Sequence, residues 1–282
     1  MPIVTRFAPS PTGLLHLGHV FAAFAAAIPA SAPGGRFLLR IEDIDRTRCR
    51  KEFEDALGED LAWLGLAWET PIRRQSEHLD DYRNALARLD AAGLVYPCFC
   101  TRREIAAEIS AAAAAPHGPD GPVYPGTCRA LAAPERQDRI AAGVPYALRL
   151  DTAEASRRAG TLYWTDRERG EQIARPDVFG DVVLARKEIP TSYHLAVTVD
   201  DALQDITLVT RGEDLFAATH VHRLLQALLG LPTPAYAHHR LLVGPDGLRF
   251  AKRDKTTTVR ALREAGRAAA EVRALAGVKD GA

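Results

Sequence analysis

The chain has no surplus of either charge: 36 lysines and arginines stand against 36 aspartates and glutamates in 282 residues. A polyanionic partner must therefore be held by a local basic patch, because the molecule as a whole exerts no pull on one. Neutrality does not exclude nucleic acid. The chain also lacks a long apolar run: the stretch from Val20 to Ala32 is too short to span a bilayer and contains Pro29. With no basic leader in front of it, the expectation is a cytoplasmic protein with no membrane partner. Cysteine is scarce, and three of the four lie between Cys98 and Cys128. That clustering suits a metal site better than a secreted disulfide framework, and the isolated Cys49 reads as an inert thiol. No repeat of solenoid period is present.

What the chain does have is ample apolar material for a core and an alternation of strand and helix patterns. "PIVTRFAP" reads as a short buried strand, "HVFAAFAAAI" as a helix, and "GRFLLRIED" as a second strand ending in carboxylates. "EFEDALGEDLAWLGL" places Phe53, Leu57, Leu61 and Leu64 at helical spacing, and "HLDDYRNALARLDAAGLVY" predicts another helix closing near Gly93. From Cys98 to Arg186 the pattern gives way to a Pro/Gly/Ala-rich segment that reads as an insertion, and its "ISAAAAAPHGPDGP" is expected to be a helix end and loop without chemistry. The alternation then resumes with "DVVLARKE", "YHLAVTVDDAL", "ITLVTRGEDL" and the helix "ATHVHRLLQALLG". The expected fold is α/β, with a nucleotide-binding core in two halves, 1–97 and 187–245. An inserted subdomain at 98–186 divides them, and 246–282 supplies a loop and short helices.

Two groupings carry chemistry. In "FAPSPTGLLHLGH", beginning at Phe7, a strand hands over to a helix whose N-terminal N–H groups and dipole suit a phosphate. Gly13 and Gly18 give a ligand access, Pro9 and Pro11 stiffen the approach, and His16 and His19 offer imidazole donors. Taken alone, the stretch is equally a glycine turn with surface histidines. In "CFC" and "YPGTC", Cys98, Cys100 and Cys128 with the Tyr124 oxygen could close a tetrahedral zinc site with no open position, hence a structural one. The spacing is not the common two-residue knuckle, so buried free cysteines stand as the alternative.

Read together, "RFAPSPTGLLHLGH", "LLRIEDIDRTR", "VYPCFCTRREI", "YHLAVTVDDAL", "TLVTRGEDL" and "RFAKRD" resemble the glutamyl-tRNA synthetase family in order and spacing, over nearly the whole chain. The resemblance implies a Rossmann-type class I synthetase catalytic core with an inserted zinc-bearing subdomain and a short C-terminal helical segment. "HLGH" corresponds to the HIGH motif of that class and "RFAKR", Arg249 to Arg253, to its KMSKS loop. ATP would be bound by His16, Gly18, His19 and Lys252, with His16, His19 and Lys252 stabilising charge as an amino-acid carboxylate attacks the α-phosphate. Magnesium would accompany ATP, without a dedicated ligand that the sequence identifies. Arg249 and Ala251 depart from the family pattern, which keeps charge but loses a hydroxyl in the loop.

The resemblance further assigns L-glutamate to Arg6, Phe7, Ala8, Pro9, Ser10, Glu42, Tyr193 and Arg211. Arg6 and Arg211 would take the side-chain carboxylate and Glu42 the α-ammonium, with Ser10 and Tyr193 completing the hydrogen bonds. Each has a plainer alternative: Arg6 paired with a core carboxylate, Glu42 structural, Tyr193 as packing. Thirty residues follow Lys252, too few for the anticodon-reading domains of full-length relatives. This length matches short paralogues that carry the same cysteine, cysteine, tyrosine, cysteine order. They activate glutamate without prior tRNA and place it on a hydroxyl of the queuosine base at the wobble position of tRNA(Asp). The expected partners are L-glutamate, ATP and queuosine-bearing tRNA(Asp), met by a monomer. Arginines in "TRREI", Arg129 and the C-terminal arginines are candidate phosphate contacts, or simply solvated faces. Transfer to a carrier protein or small amine, and a non-catalytic nucleotide-binding paralogue, are the competing functions.

Overall fold

The computed structural model describes residues 2–111, 117–119, 121–186, 188–242 and 258–278. Strand β1 (Val4–Phe7) leads into helix α1 (Leu17–Ala30), and β2 (Arg36–Ile41) leads through α2 (Lys51–Trp63) to β3 (Glu69–Arg74). Helix α3 (Leu79–Ala91) ends before Gly93, whose φ of 67° makes the turn that an L side chain rarely adopts. The middle of the chain holds β4 (Val95–Cys98), α4 (Arg102–Ala111), β5 (His117–Gly118), β6 (Gly121–Pro122), α5 (Ala133–Ala141), β7 (Ala147–Leu150), α6 (Thr152–Ala159), β8 (Tyr163–Asp166), β9 (Gly170–Ile173) and β10 (Val183–Ala185). The last part holds α7 (Tyr193–Leu203), β11 (Leu208–Gly212), α8 (Ala218–Leu228), β12 (Ala235–His239), α9 (Val259–Glu264) and α10 (Ala269–Leu275). Among the described residues no helix is long and apolar enough to cross a membrane.

The sheets are mixed. Strands β1, β2 and β3 form a parallel sheet in that order; β11, β12 and β8 run parallel, with β9 antiparallel at the edge. The two sheets meet where the Thr207 N–H donates to the Val4 carbonyl at 3.0 Å. A third sheet, β10-β7-β4, is antiparallel. The α/β expectation is met. Strand pairing crosses both ends of the segment read as an insertion: β4 pairs with β7, and β8 adds itself to the sheet of β11 and β12.

Strand periodicity explains why the arginines of β1 and β2 are where they are. Phe7, Phe37, Leu39 and Ile41 point to one face and pack with Leu17, Val20, Phe24, Leu57 and Leu61 of α1 and α2. The alternate residues, Arg6 and Arg40, therefore point to the opposite face, where α7 lies. Helix α7 carries two buried carboxylates, Asp200 and Asp201, and these meet the arginines. A second core joins α3, β7, α6, α7 and α8 through Leu89, Leu150, Ala155, Leu195, Val221 and Leu224. Helices α9 and α10 bury Val259 and Val272 against the α1 and α2 side.

Candidate active site

The carboxyl ends of β1, β2 and β11 converge on the N-terminus of α7, the edge of an open α/β sheet at which ligands are bound. The loop after β1 is pinned to the end of β2 because the Glu42 N–H donates to the Pro9 carbonyl at 3.1 Å. This brings Pro9 and the exposed Ser10 beside Glu42. Helix α7 starts at Tyr193, where the Ser192 hydroxyl caps the Leu195 N–H.

The two arginines expected to bind a carboxylate are both buried, Arg6 at 4% exposure and Arg211 at 7%, yet their surroundings differ. Arg6 donates from Nε and Nη2 to the two oxygens of Asp201 at 2.9 and 3.2 Å, and from Nη1 to the Thr210 carbonyl. Arg40 shares Asp201 at 2.7 Å, and Asp200 receives Arg73, Gln75 and Tyr82. Burial raises the Asp201 carboxyl, but Arg6 and Arg40 outweigh it and hold the group below the ordinary carboxylate range. The Arg6 side is thus a ladder of paired charges, the core pairing named as its alternative.

Among the described residues Arg211 has only neutral partners. It donates from Nε to His238 Nε2 at 3.2 Å, from Nη1 to His222 Nδ1 at 3.0 Å, from Nη2 to the Thr219 hydroxyl at 2.5 Å, and weakly to the Tyr193 hydroxyl at 3.5 Å. The Tyr236 ring lies under its guanidinium, 5.3 Å from centroid to Cζ. No ion pair joins Arg211 to a carboxylate among the described residues, so a full positive charge sits buried without a direct counter-charge.

Glu42 is complementary to it. Among the described residues its ion-pair partner is Arg40, with Nη2 3.7 Å from Oε1, too far for a hydrogen bond. Burial pushes its carboxyl up to about 7, against the pull of Arg40 and Arg6. The charges of Arg211, Glu42 and Arg6 all reach the Tyr193 hydroxyl, whose pKa burial raises. Among the described residues Arg211 thus lacks an ion-paired anion and Glu42 lacks a hydrogen-bonded cation, the demand an amino acid with an anionic side chain satisfies.

The histidines of "HLGH" meet at the start of α1. His16 caps the helix, its Nδ1 accepting the Gly18 N–H at 3.1 Å, while His19 Nδ1 accepts the His16 N–H at 3.2 Å. With both Nδ1 atoms accepting, the ring proton of each histidine sits on Nε2. The rings stack with centroids 3.8 Å apart. A Cβ at position 18 would lie 3.0 Å from His16 Cε1, which is why glycine stands there. The His16 backbone bridges to Thr258, and the Val259 N–H donates to the Leu15 carbonyl at 2.8 Å. The chain therefore returns to the head of α1 directly after the segment holding Arg249, Ala251 and Lys252, which lies outside the described residues.

Cys98, Cys100 and Cys128 come together as expected, with their sulfurs within 4.8 Å of one another. Cys100 Sγ lies 3.4 Å from Cys128 Sγ and 3.5 Å from the Tyr124 hydroxyl. A tetrahedral Zn–S distance of about 2.3 Å places sulfurs about 3.8 Å apart, so the donor set fits zinc in size and softness. Burial pushes the Cys100 thiol up to about 12, whereas for Cys128 donors from Tyr124 and the Phe99 N–H overcome burial and lower it. Cys49 lies apart, half-buried near the Glu42 carbonyl.

Sequence reasoning missed Asp201, Arg40, His222 and His238. Asp200 and Asp201 beside the apolar residues of α7, and Arg6 and Arg40 among the apolar residues of β1 and β2, were the available signal, since buried charges demand partners. The histidines gave none: His238 meets Arg211 only because the two are register partners in the β11–β12 ladder.

The whole of this geometry falls within a match to the family of tRNA synthetases class I (E and Q), catalytic domain, over residues 2–274. The chain belongs to that family and is a ligase-type enzyme. It is 51% identical to the glutamyl-Q tRNA(Asp) synthetase of Rhodobacter capsulatus, over 98% of this chain and 100% of that one. It is 45% identical to the glutamyl-Q tRNA(Asp) synthetase of Symbiobacterium thermophilum, over 93% and 81%. The crystal structure of glutamate-tRNA synthetase from Elizabethkingia anophelis superposes with a TM-score of 0.75 at 30% identity, over 90% of this chain and 53% of that one. The resemblance read from the motifs holds at the level of the family.

Proposed function

We propose that the chain activates L-glutamate with ATP to glutamyl-adenylate and transfers the glutamyl group to the queuosine base at the wobble position of tRNA(Asp). The observation that carries the substrate is Arg211: a buried guanidinium whose partners among the described residues are neutral, and which shares the Tyr193 hydroxyl with the charge of Glu42, itself without a hydrogen-bonded cation among those residues. Glutamate supplies the missing charge at both places. Glutamine would leave Arg211 uncompensated in a closed site. The acceptor rests on the names carried by the similar chains.

In the first step a glutamate α-carboxylate oxygen attacks the α-phosphorus. The bond from that phosphorus to the bridging oxygen breaks, and pyrophosphate leaves with its magnesium. No protein nucleophile is needed; the chain positions two anions and meets the charge that builds on the phosphates. His16 and His19, protonated at Nε2, would donate to phosphate oxygens from the head of α1, with Lys252 as the mobile-loop counterpart in the family pattern. In the second step an acceptor hydroxyl attacks the acyl carbon, its proton leaves to solvent, and AMP departs. Cys98, Cys100, Cys128 and Tyr124 would hold one structural zinc, a role in folding and not in the reaction.

Exchange of labelled pyrophosphate into ATP tests the activation step. Glutamate should support it without tRNA, glutamine and aspartate should not, and Lys252→Ala should abolish it. Equal exchange with glutamine would remove Arg211 as the selector. Labelled glutamate should then enter tRNA(Asp) that carries queuosine and not its queuosine-free counterpart; equal labelling of both would refute the acceptor. Metal analysis should find one zinc per chain.

A further inference from the structure

Arg211 raises a problem that its own side chain does not solve. A buried cation with no direct counter-charge is costly, and the groups around it could titrate or reorient to relieve it. The structure surrounds it with histidines, the side chain most able to change charge near neutral pH. Each presents a lone pair to Arg211, and since Arg211 cannot lose a proton, the ring protons are forced elsewhere. His238 accepts at Nε2, so its proton is on Nδ1, which lies 2.7 Å from Asp166 Oδ2. Asp166 is itself fixed by the Glu168 and Arg169 N–H groups. His222 accepts at Nδ1, so its proton is on Nε2, and this atom lies 3.1 Å from His194 Nδ1. A single non-titrating cation thereby dictates the tautomers of three rings.

We propose that His222 and His238 are positioning residues of the amino-acid pocket, which orient Arg211 without neutralising it and so make the pocket select an anionic side chain. This inference rests on the glutamate reading above and says how that selectivity is built. Geometry and charge agree. His222 lies well below its ordinary pKa because of burial and then the Arg211 charge; burial and Arg211 also take His194 to about 4, and His238 to about 4 despite the opposing pull of Asp166. The carboxylate of Asp166 is held one ring away from Arg211 by His238. It stabilises the cation through a neutral imidazole and makes no direct ion pair with it. The protons of Arg211 that remain are one on Nη2 and the loosely held one on Nη1, a pair that suits one carboxylate.

A carboxylate in place of the imidazole separates this idea from a merely structural role. His222→Asp gives Arg211 a permanent partner, and the preference for glutamate over glutamine in kcat/KM should fall about 100-fold, through KM more than kcat. His222→Asn keeps an acceptor where Nδ1 stood and should hold the preference within about fivefold of wild type. Nitrogen-15 spectra of the histidine rings in the wild-type protein should show His238 protonated at Nδ1 and His222 at Nε2, with neither titrating between about pH 5.5 and 8. A folded His222→Asp protein that still rejects glutamine overturns the proposal. If that variant does not fold, the spectra decide, and either ring titrating in that range or carrying the opposite tautomer overturns it. A wild-type protein that does not prefer glutamate refutes the functional reading instead, and the spectra then judge the charge arrangement separately.

Discussion

Arg6 and Arg211 stand on neighbouring strands, are buried to the same degree, and were assigned the same task from the sequence. Their environments are opposites. Arg6 faces Asp201 across two hydrogen bonds and belongs to a ladder of alternating arginines and aspartates that runs through Arg40 and Asp200 to Arg73. Arg211 faces two histidines, a threonine and a tyrosine. The same residue type thus serves two ends. One guanidinium is part of the fold's own charge balance; the other awaits a charge from outside. Burial alone does not distinguish them, and the identity of the acceptor groups does.

The largest test of this contrast is Arg211→Gln. It removes a buried cation that has no ion-paired carboxylate among the described residues, so kcat/KM for glutamate should fall about 1000-fold, with thermal stability unchanged or increased because a buried unpaired charge is lost. A loss of stability on the scale expected for Asp201, with glutamate kinetics near wild type, would erase the distinction. Asp201→Asn is the converse. It leaves Arg6 and Arg40 short of a counter-charge and should cost about 3 to 5 kcal/mol of stability, read from denaturant or thermal unfolding. In molecules that stay folded, glutamate should still be preferred to glutamine.

A smaller effect should come from Glu42. Burial pushes its carboxyl up to about 7, and the group must be ionised to hold an ammonium. KM for glutamate should therefore rise about tenfold per pH unit as pH falls below 7 and be flat above it. Stability without ligand runs the other way. The folded value lies above the ordinary 4.5, so the native chain holds this proton more tightly, and stability falls as pH climbs through 4.5 to 7. A KM independent of pH between 6 and 8 would mean that Glu42 does not meet the ammonium.

Much of this was legible in the residues, and what was not has a physical reason. The strands β1, β2 and β11 and the helices α1, α2 and α3 follow their apolar periodicity, because each buries one face in a core. Strands β3, "ETPIRR", and β12, "AYAHH", carry polar and charged residues whose partners lie far along the chain, so no local pattern announces them. Strand β8 falls in the segment read as an insertion, yet its Trp164 and Asp166 sit with Tyr236 and His238 of β12, an association that only a long-range ladder creates. Arg6, Glu42, Tyr193 and Arg211 were identifiable as a set by resemblance, but no residue pattern shows that Asp201 neutralises one arginine while His222 and His238 leave the other charged.

The smallest effect belongs to a pair that looks as good as Arg6 with Asp201 on paper. Arg36 and Glu69 make a bidentate contact at 2.8 to 3.0 Å between β2 and β3. Their side chains are 43% and 45% exposed, so water and salt screen both charges in the folded chain almost as well as in the unfolded one. Glu69→Gln should therefore shift the melting temperature by less than about 2 °C, and the shift should vanish at high salt. Solvent can replace either partner here, whereas at Asp201 it cannot reach. A shift as large as that of Asp201→Asn would show that geometry, and not exclusion of water, sets the strength of these pairs, and the contrast between Arg6 and Arg211 would then need another cause.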